Sequence, residues 1–155
     1  MRALSDGLAA KSRRDIGSAR ACWEPLADEG DPRAQYYLVN LYQDECDNRL
    51  EAGLMAERLM SVANGSNPQA QYYLGLLFQY GRGFERDFDR ALDWLNRAAD
   101  GGDAQARYRL GQMYRHGFGV LRNDTIAEEW LRRSDVSVSD ASDSYDETEY
   151  REAAE

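Results

Sequence analysis

The sequence predicts an all-α solenoid of stacked helix pairs, and three observations carry that prediction. Shifted by 36 positions, the chain of 155 residues matches itself without a gap. Within each copy, apolar residues recur at helical spacing on two successive segments. The same helix-capping residues return at the same phase. Self-similarity fixed at such a period is the mark of a helical repeat, in which each unit buries its apolar face only against its neighbours.

Gln69-Ala70-Gln71-Tyr72-Tyr73-Leu74-Gly75 lies over Gln105-Ala106-Arg107-Tyr108-Arg109-Leu110-Gly111. Gly81 and Gly83 lie over Gly117 and Gly119, Ala91 over Ala127, and Trp94-Leu95 over Trp130-Leu131. The frame runs backward as well, since Ala34-Gln35-Tyr36-Tyr37-Leu38 repeats residues 70–74. The units are therefore 1–30, 31–66, 67–102 and 103–133, the first being a half-copy that shows the second-helix pattern. An acidic tail, 134–155, follows.

Helices are expected over 3–12, 14–28, 32–44, 50–64, 68–80, 87–100, 104–116 and 123–133. The first segment of a unit, helix A, is clearest where Ala70, Leu74, Leu77 and Phe78 stand at i, i+4, i+7 and i+8. The second, helix B, repeats that spacing in Ala91, Trp94, Leu95, Ala98 and Ala99, and at the start of the chain in Ala19, Cys22, Trp23, Leu26 and Ala27. Pro25 falls inside this early segment and should kink it or end it, because proline lacks the N–H that a helix interior uses.

Asp31, Asn67 and Asp103 can cap helix A, and Pro32 and Pro68 suit its first position. Gly30, Gly65 and Gly101 stand where helix B should end in a left-handed residue. Gly75 and Gly111 lie inside helix A, where glycine costs about 1 kcal/mol relative to alanine, so helix B is expected to approach the backbone there. Gly81/Gly83 and Gly117/Gly119 suit a turn that needs positive φ.

These residues resemble the Sel-one-like repeat, a relative of the tetratricopeptide repeat. The match is carried by Ala106, Tyr108, Leu110, Gly111, Tyr114, Gly117, Gly119, Val120, Ala127 and Trp130, and by Ala70, Tyr72, Leu74, Gly75, Gly81, Gly83, Asp87, Ala91 and Trp94. The resemblance implies a right-handed superhelix of antiparallel helix pairs that serves as an adaptor in protein complexes. Unit 31–66 departs from the pattern: Val39 replaces the helix A glycine, Arg58 replaces the tryptophan, and the turn 44–48 has no glycine. Drift, or a turn reshaped for contact, would each produce this.

Composition narrows the function. The net charge is −9, of which the tail carries −7, so the body is near neutral and suits neither nucleic acid nor an anionic membrane. No apolar run reaches the roughly 20 residues of a membrane helix. Residues 1–7 lack the apolar segment of a signal peptide, which points to the cytoplasm.

One histidine, His116, and two scattered cysteines, Cys22 and Cys46, make neither a zinc set nor a disulfide framework. Cys22 is expected to pack in a core. No cofactor is expected. A hydrolytic enzyme using His116 or a cysteine is the weaker reading, because no second base pairs with the histidine.

What remains is a surface. Helices A line the concave side in this architecture. One stripe along them reads Arg33, Tyr37, Asn40 and Asp44, then Gln69, Tyr73, Leu76 and Tyr80, then Gln105, Arg109, Gln112 and His116. Tyrosine and arginine are favoured interface anchors, so the stripe predicts a groove for a peptide or helix of another protein. Tyr36, Tyr72 and Tyr108 recur in every copy and are assigned to packing. Trp130 and Leu131 near the C-terminal edge leave self-assembly as an alternative. The tail, rich in Ser and Asp, is expected to be mostly disordered, with room for a short helix over 147–154 and for folding back onto the groove.

Overall fold

A computed structural model describes residues 2–44 and 48–134. It contains eight helices among these residues and no strand: α1 (Arg2–Ser12), α2 (Ile16–Asp28), α3 (Pro32–Asp44), α4 (Arg49–Asn64), α5 (Pro68–Tyr80), α6 (Phe88–Asp100), α7 (Ala104–His116) and α8 (Asp124–Ser134). Successive helices pack as antiparallel pairs, α1 on α2 through α7 on α8, and α3 also touches α5. The expectations for Cys46, for most of the turn after α3 and for the tail beyond Ser134 fall outside the described residues.

Caps set the helix starts. Asn67 and Asp103 accept from the N–H groups of Ala70 (3.1 Å) and Ala106 (2.8 Å), and Asp31 accepts from Arg33 and Ala34. Each satisfies donors that the first turn of a helix leaves free. Helix B is capped by the same chemistry: Asp15, Asn48, Asp87 and Asn123 accept from Ser18, Glu51, Arg90 and Ile126.

The left-handed residue after helix B is Gly30 in the first unit, as expected, but is not Gly65 or Gly101 in the next two. Gly65 and Gly101 have φ of −78° and −77°. Positive φ falls at Gly30 (91°), Ser66 (68°) and Gly102 (98°), which are the positions in 36-residue phase. Ser66 takes this conformation without being glycine, so backbone geometry is kept where residue identity is not. Pro25 does not end α2, which runs on to Asp28. Pro25 and Ala21 are both exposed, so water can reach the carbonyl that lost its partner.

Gly75 and Gly111 mark real backbone contacts. A Cβ on Gly75 would lie 2.8 Å from Leu95 Cγ and 3.3 Å from the Ala91 carbonyl oxygen. On Gly111 the distances are 2.6 Å to Leu131 Cγ and 3.2 Å to the Ala127 oxygen. Gly81, Gly83, Gly117 and Gly119 all adopt positive φ, as the turn requires.

The N-terminal half-copy proves to be a complete pair. Trp23 occupies the position of Leu95 and Leu131, and a Cβ on Gly7 would strike its indole. Trp23 Nε1 donates to the Leu4 carbonyl, and the ring is fully buried. Only residues 13–15 join α1 to α2, against 81–87 and 117–123 later, so the glycine partner sits nearer in sequence. In the second pair the turn is also short, and α4 begins at Arg49. Val39 and Leu59 are both fully buried there, so the pair packs without the glycine. Cys22 is only partly buried, against the edge of the core.

Units are joined by a hydrogen bond that repeats along the chain. Gln35 Nε2 donates to the Ala27 carbonyl (3.1 Å), Gln71 Nε2 to Ala63 (3.2 Å), and Arg107 Nε to Ala99 (3.1 Å). Each links helix A of one unit to the last turn of helix B before it. The glycine turns supply a second joint: Gly83 N–H donates to Gln43 Oε1 at 2.7 Å, while the site of its absent Cβ lies 2.7 Å from Ala56 Cβ. At the stacking positions held by Phe88 and Leu92 in α6, the last helix carries Asp124 and Glu128 instead.

Gly111→Val should destabilise the fold by roughly 1–3 kcal/mol, through overpacking against Leu131 and the Ala127 carbonyl and through lost helix propensity. Denaturant titration reads this as a lower midpoint; an unchanged midpoint would mean α8 can withdraw without loss.

Candidate functional site

Three helices A, α3, α5 and α7, place their stripe residues side by side. Six of the twelve predicted residues, Arg33, Tyr37, Gln69, Tyr73, Leu76 and Gln105, line one hollow of about 340 Å³ together with Tyr36 and Tyr72. Leu76, 4% exposed, forms its floor.

The tyrosines form a connected row. Tyr73 stacks on Tyr36 at 4.7 Å between ring centroids, Tyr36 leans on Tyr37 at 6.0 Å, and Tyr37 meets Trp23 at 5.1 Å. Tyr72 lies 5.1 Å from Tyr73 on the other side. Tyr36 and Tyr72 were assigned to packing because they recur; they do pack, and they line the hollow too. The Tyr-Tyr dipeptides at 36–37 and 72–73 carried that signal, since adjacent helical residues fan across a face.

The remaining stripe residues stand apart from this hollow. Arg109, 6% exposed, donates from Nη1 to the Tyr80 hydroxyl at 3.0 Å, so this pair is fixed by tertiary packing rather than presented as open surface. Gln112 Nε2 donates to the Tyr108 hydroxyl at 2.8 Å, and Asn40 Nδ2 to the Tyr36 carbonyl at 3.3 Å. His116 is exposed at the end of α7. Asp44 closes α3, but its side chain lies outside the described residues.

Burial sets the charge state of the row. It pushes the Tyr36 phenol up to about 12 from 10.0, with Tyr72 adding to the shift and Asn40, Arg109 and Arg82 opposing it. Burial raises Tyr73 further, reinforced by Tyr37, Tyr72 and Tyr36 and opposed by Arg33. These phenols are thus neutral at physiological pH. Arg33 is the cationic member of the lining; it lies 3.8 Å from Asp31, and its buried Nε has no hydrogen-bond partner among the described residues. The hollow offers stacking faces, phenol and amide hydrogen bonds and one guanidinium. That is equipment for holding a ligand.

Among the described residues, no group of three His, Cys, Asp or Glu could hold a metal ion. His116 closes α7 in the fourth unit while Cys22 sits on α2 in the first, so the structure does not pair them. No helix of the described residues is long and apolar enough to cross a membrane.

Comparisons with known proteins agree with this geometry. The family model of the Sel1 repeat matches residues 68–103 and 104–134, which are the third and fourth pairs. A Sel1 repeat protein from Oxalobacter formigenes is similar in structure, with a TM-score of 0.58 and 26% identity over 72% of this chain and 86% of its own. A protective antigen of uropathogenic Escherichia coli strains displaying an SLR fold has a TM-score of 0.55 and 27% identity, over 77% of this chain. Only 26% of that larger antigen is spanned. No curated protein matches the chain.

The buried phenols predict a direction for alkaline stability. Tyr36 ionises at about 12 when folded and near 10.0 when unfolded, so the unfolded chain loses its proton first. Stability from this source is complete below pH 10 and is lost as pH rises towards 12. Tyr42, also pushed to about 12 by burial and by Glu24, acts in the same window. Urea midpoints across that range should fall in wild type and fall less in Tyr36→Phe.

Proposed function

The chain belongs to the Sel1-like repeat family, related to the tetratricopeptide repeat, through residues 68–134, and we propose that it is a protein-interaction scaffold whose hollow between α3, α5 and α7 holds a peptide or helical segment of another protein. One observation carries this reading. Three successive units place stacked tyrosines, two glutamine amides and Arg33 around a single concavity, on side chains already ordered by their neighbours. An ordered aromatic site spares the partner much of the entropy cost of fixing loose side chains. Tyrosine also combines a large apolar face with a directed hydrogen bond, which is why it dominates interface energetics.

Neutral phenols at Tyr36 and Tyr73 suit stacking and hydrogen bonding rather than proton transfer, which supports an adaptor role. Cytoplasmic residence belongs to this proposal as a setting in which the free thiol of Cys22 persists.

Tyr73→Ala should weaken a captured partner by about 1–3 kcal/mol, because Tyr73 both lines the hollow and stacks on Tyr36. Tyr80→Ala should cost less, because Tyr80 stands outside the hollow and acts on it only by holding the Arg109 guanidinium, whose charge reaches Tyr36. The partner is first captured from the native host, and its affinity is then measured by calorimetry with helical content checked by circular dichroism. Unchanged affinity in both variants, with helices intact, would move the interface off this stripe.

A further inference from the structure

The same chain supplies a segment that complements the groove. We infer that residues 135–155 fold back and occupy the concavity as an internal competitor for the partner. This goes beyond the scaffold reading: it needs the groove, but no foreign partner.

Where the described chain ends is the first observation. Helix α8 runs antiparallel to α7, so its end lies beside the start of α7. Arg107 Nη1 donates to the Arg133 carbonyl at 3.3 Å, which ties the last turn of α8 to the first turns of α7. Gln105, two residues before Arg107, lines the groove. Residues two apart on a helix face opposite sides, so the chain beyond Ser134 starts across the first turns of α7 from the groove, a helix width of roughly 10–12 Å away. Tyr145 lies 11 residues further on, and an extended chain spans up to about 3.3–3.6 Å per residue, or roughly 36–40 Å over that stretch.

Charge is the second. Residues 135–155 carry eight carboxylates against one arginine, Arg151. The eight residues lining the groove include Arg33 and no acidic group. The charged side chains that act on Tyr36 and Tyr73 are arginines: Arg109 and Arg82 on Tyr36, and Arg33 on Tyr73. Asp31, 3.8 Å from Arg33, only partly offsets them. An acidic segment is the occupant that such a lining favours.

Chemistry of the contact is the third. Tyr145 and Tyr150 stand among Asp143, Asp146, Glu147 and Glu149. Such a segment offers a ring for the tyrosine row and a carboxylate for the Arg33 side chain, which is 35% exposed. Exposed ion pairs contribute only about 0–1 kcal/mol each and salt screens them, so the contact is weak, reversible and sensitive to ionic strength.

Paramagnetic broadening in the full chain tests this directly. A nitroxide is placed on Ser144→Cys with Cys22→Ser and Cys46→Ser, in isotope-labelled protein. Amide signals of Tyr36, Tyr73 and Gln105 should lose intensity at about 20 mM salt and recover at about 500 mM. A second sample mixes unlabelled nitroxide-bearing chains with labelled chains lacking it; broadening there would assign the groove to a second copy and overturn the proposal. Intact groove signals at low salt, or equal broadening at both salts, would also overturn it. Because the cysteine changes touch α2, a second variant keeps both cysteines and carries Asp143→Asn, Asp146→Asn and Glu147→Gln. Its groove amides should shift at low salt to the positions that wild type shows at high salt, and unshifted amides would count against the contact. A tail that stays out of the groove leaves the scaffold reading standing, since that is judged by Tyr73→Ala on a captured partner.

Discussion

One hydrogen bond, made three times, holds the stack of helix pairs in register. Gln35, Gln71 and Arg107 each reach from helix A to the carbonyl of Ala27, Ala63 or Ala99 in the last turn of the preceding helix B. Those alanines are fully buried, so the carbonyls have little access to water. Each of these carbonyls also accepts a backbone N–H of its own unit, from Gly30, Ser66 or Gly102. Sliding one unit past the next would therefore strip the buried Gln35 and Gln71 amides of their acceptor, at a cost of about 1–3 kcal/mol each. Hydrophobic contact alone resists such sliding weakly, because one apolar neighbour replaces another. The polar joint supplies the direction that apolar packing lacks. Arginine can replace glutamine at the third joint because a single N–H at the right reach is all the geometry asks.

Each pair then has to close on itself, and a glycine against a large helix B side chain is the usual way. Leu95 seats on Gly75, Leu131 on Gly111 and Trp23 on Gly7, whereas Val39 and Leu59 are buried together without a glycine. The turn between the two helices is the adjustable part. It is long and glycine-bearing in the third and fourth pairs, and short in the first two. Shortening the turn moves the glycine four places in sequence while leaving it against the same neighbour in space. The half-buried indoles of helix B keep the period by a different contact: Arg97 lies 4.7 Å over Trp94, and Arg133 lies 4.6 Å over Trp130.

Function grows out of this regularity. Stacking units at a fixed register brings Tyr36 of one helix A over Tyr73 of the next, and the hollow forms between them. The tyrosines that stack between units therefore also line the hollow that we propose as the recognition surface. A substitution in the tyrosine row acts on stability and binding at once, which is why helical content has to be measured beside affinity. The near-neutral body and the acidic segment after Ser134 put opposite electrostatic characters on one chain, with Arg33 where they would meet.

The 36-residue frame, the capping residues and the apolar spacing by themselves determined that the described residues are helical, how many helices they form and where nearly all of these begin and end. Those features depend on neighbours a few residues apart, so they are legible in the chain. Other matters were decided only by the tertiary structure. Both helices of the first pair were legible, but their contact through Gly7 and Trp23 was not, because a shorter turn shifted Gly7 out of phase with Gly75 and Gly111. The left-handed position after helix B was misplaced onto Gly65 and Gly101, since the adjacent Ser66 and Gly102 take the strained conformation. Half of the predicted stripe gathers in the hollow, while Arg109 and Tyr80 turn to each other instead. Periodicity assigns residues to a face, but contacts between units decide which of them stay open on it, and those contacts join residues about 29 to 40 positions apart in the chain.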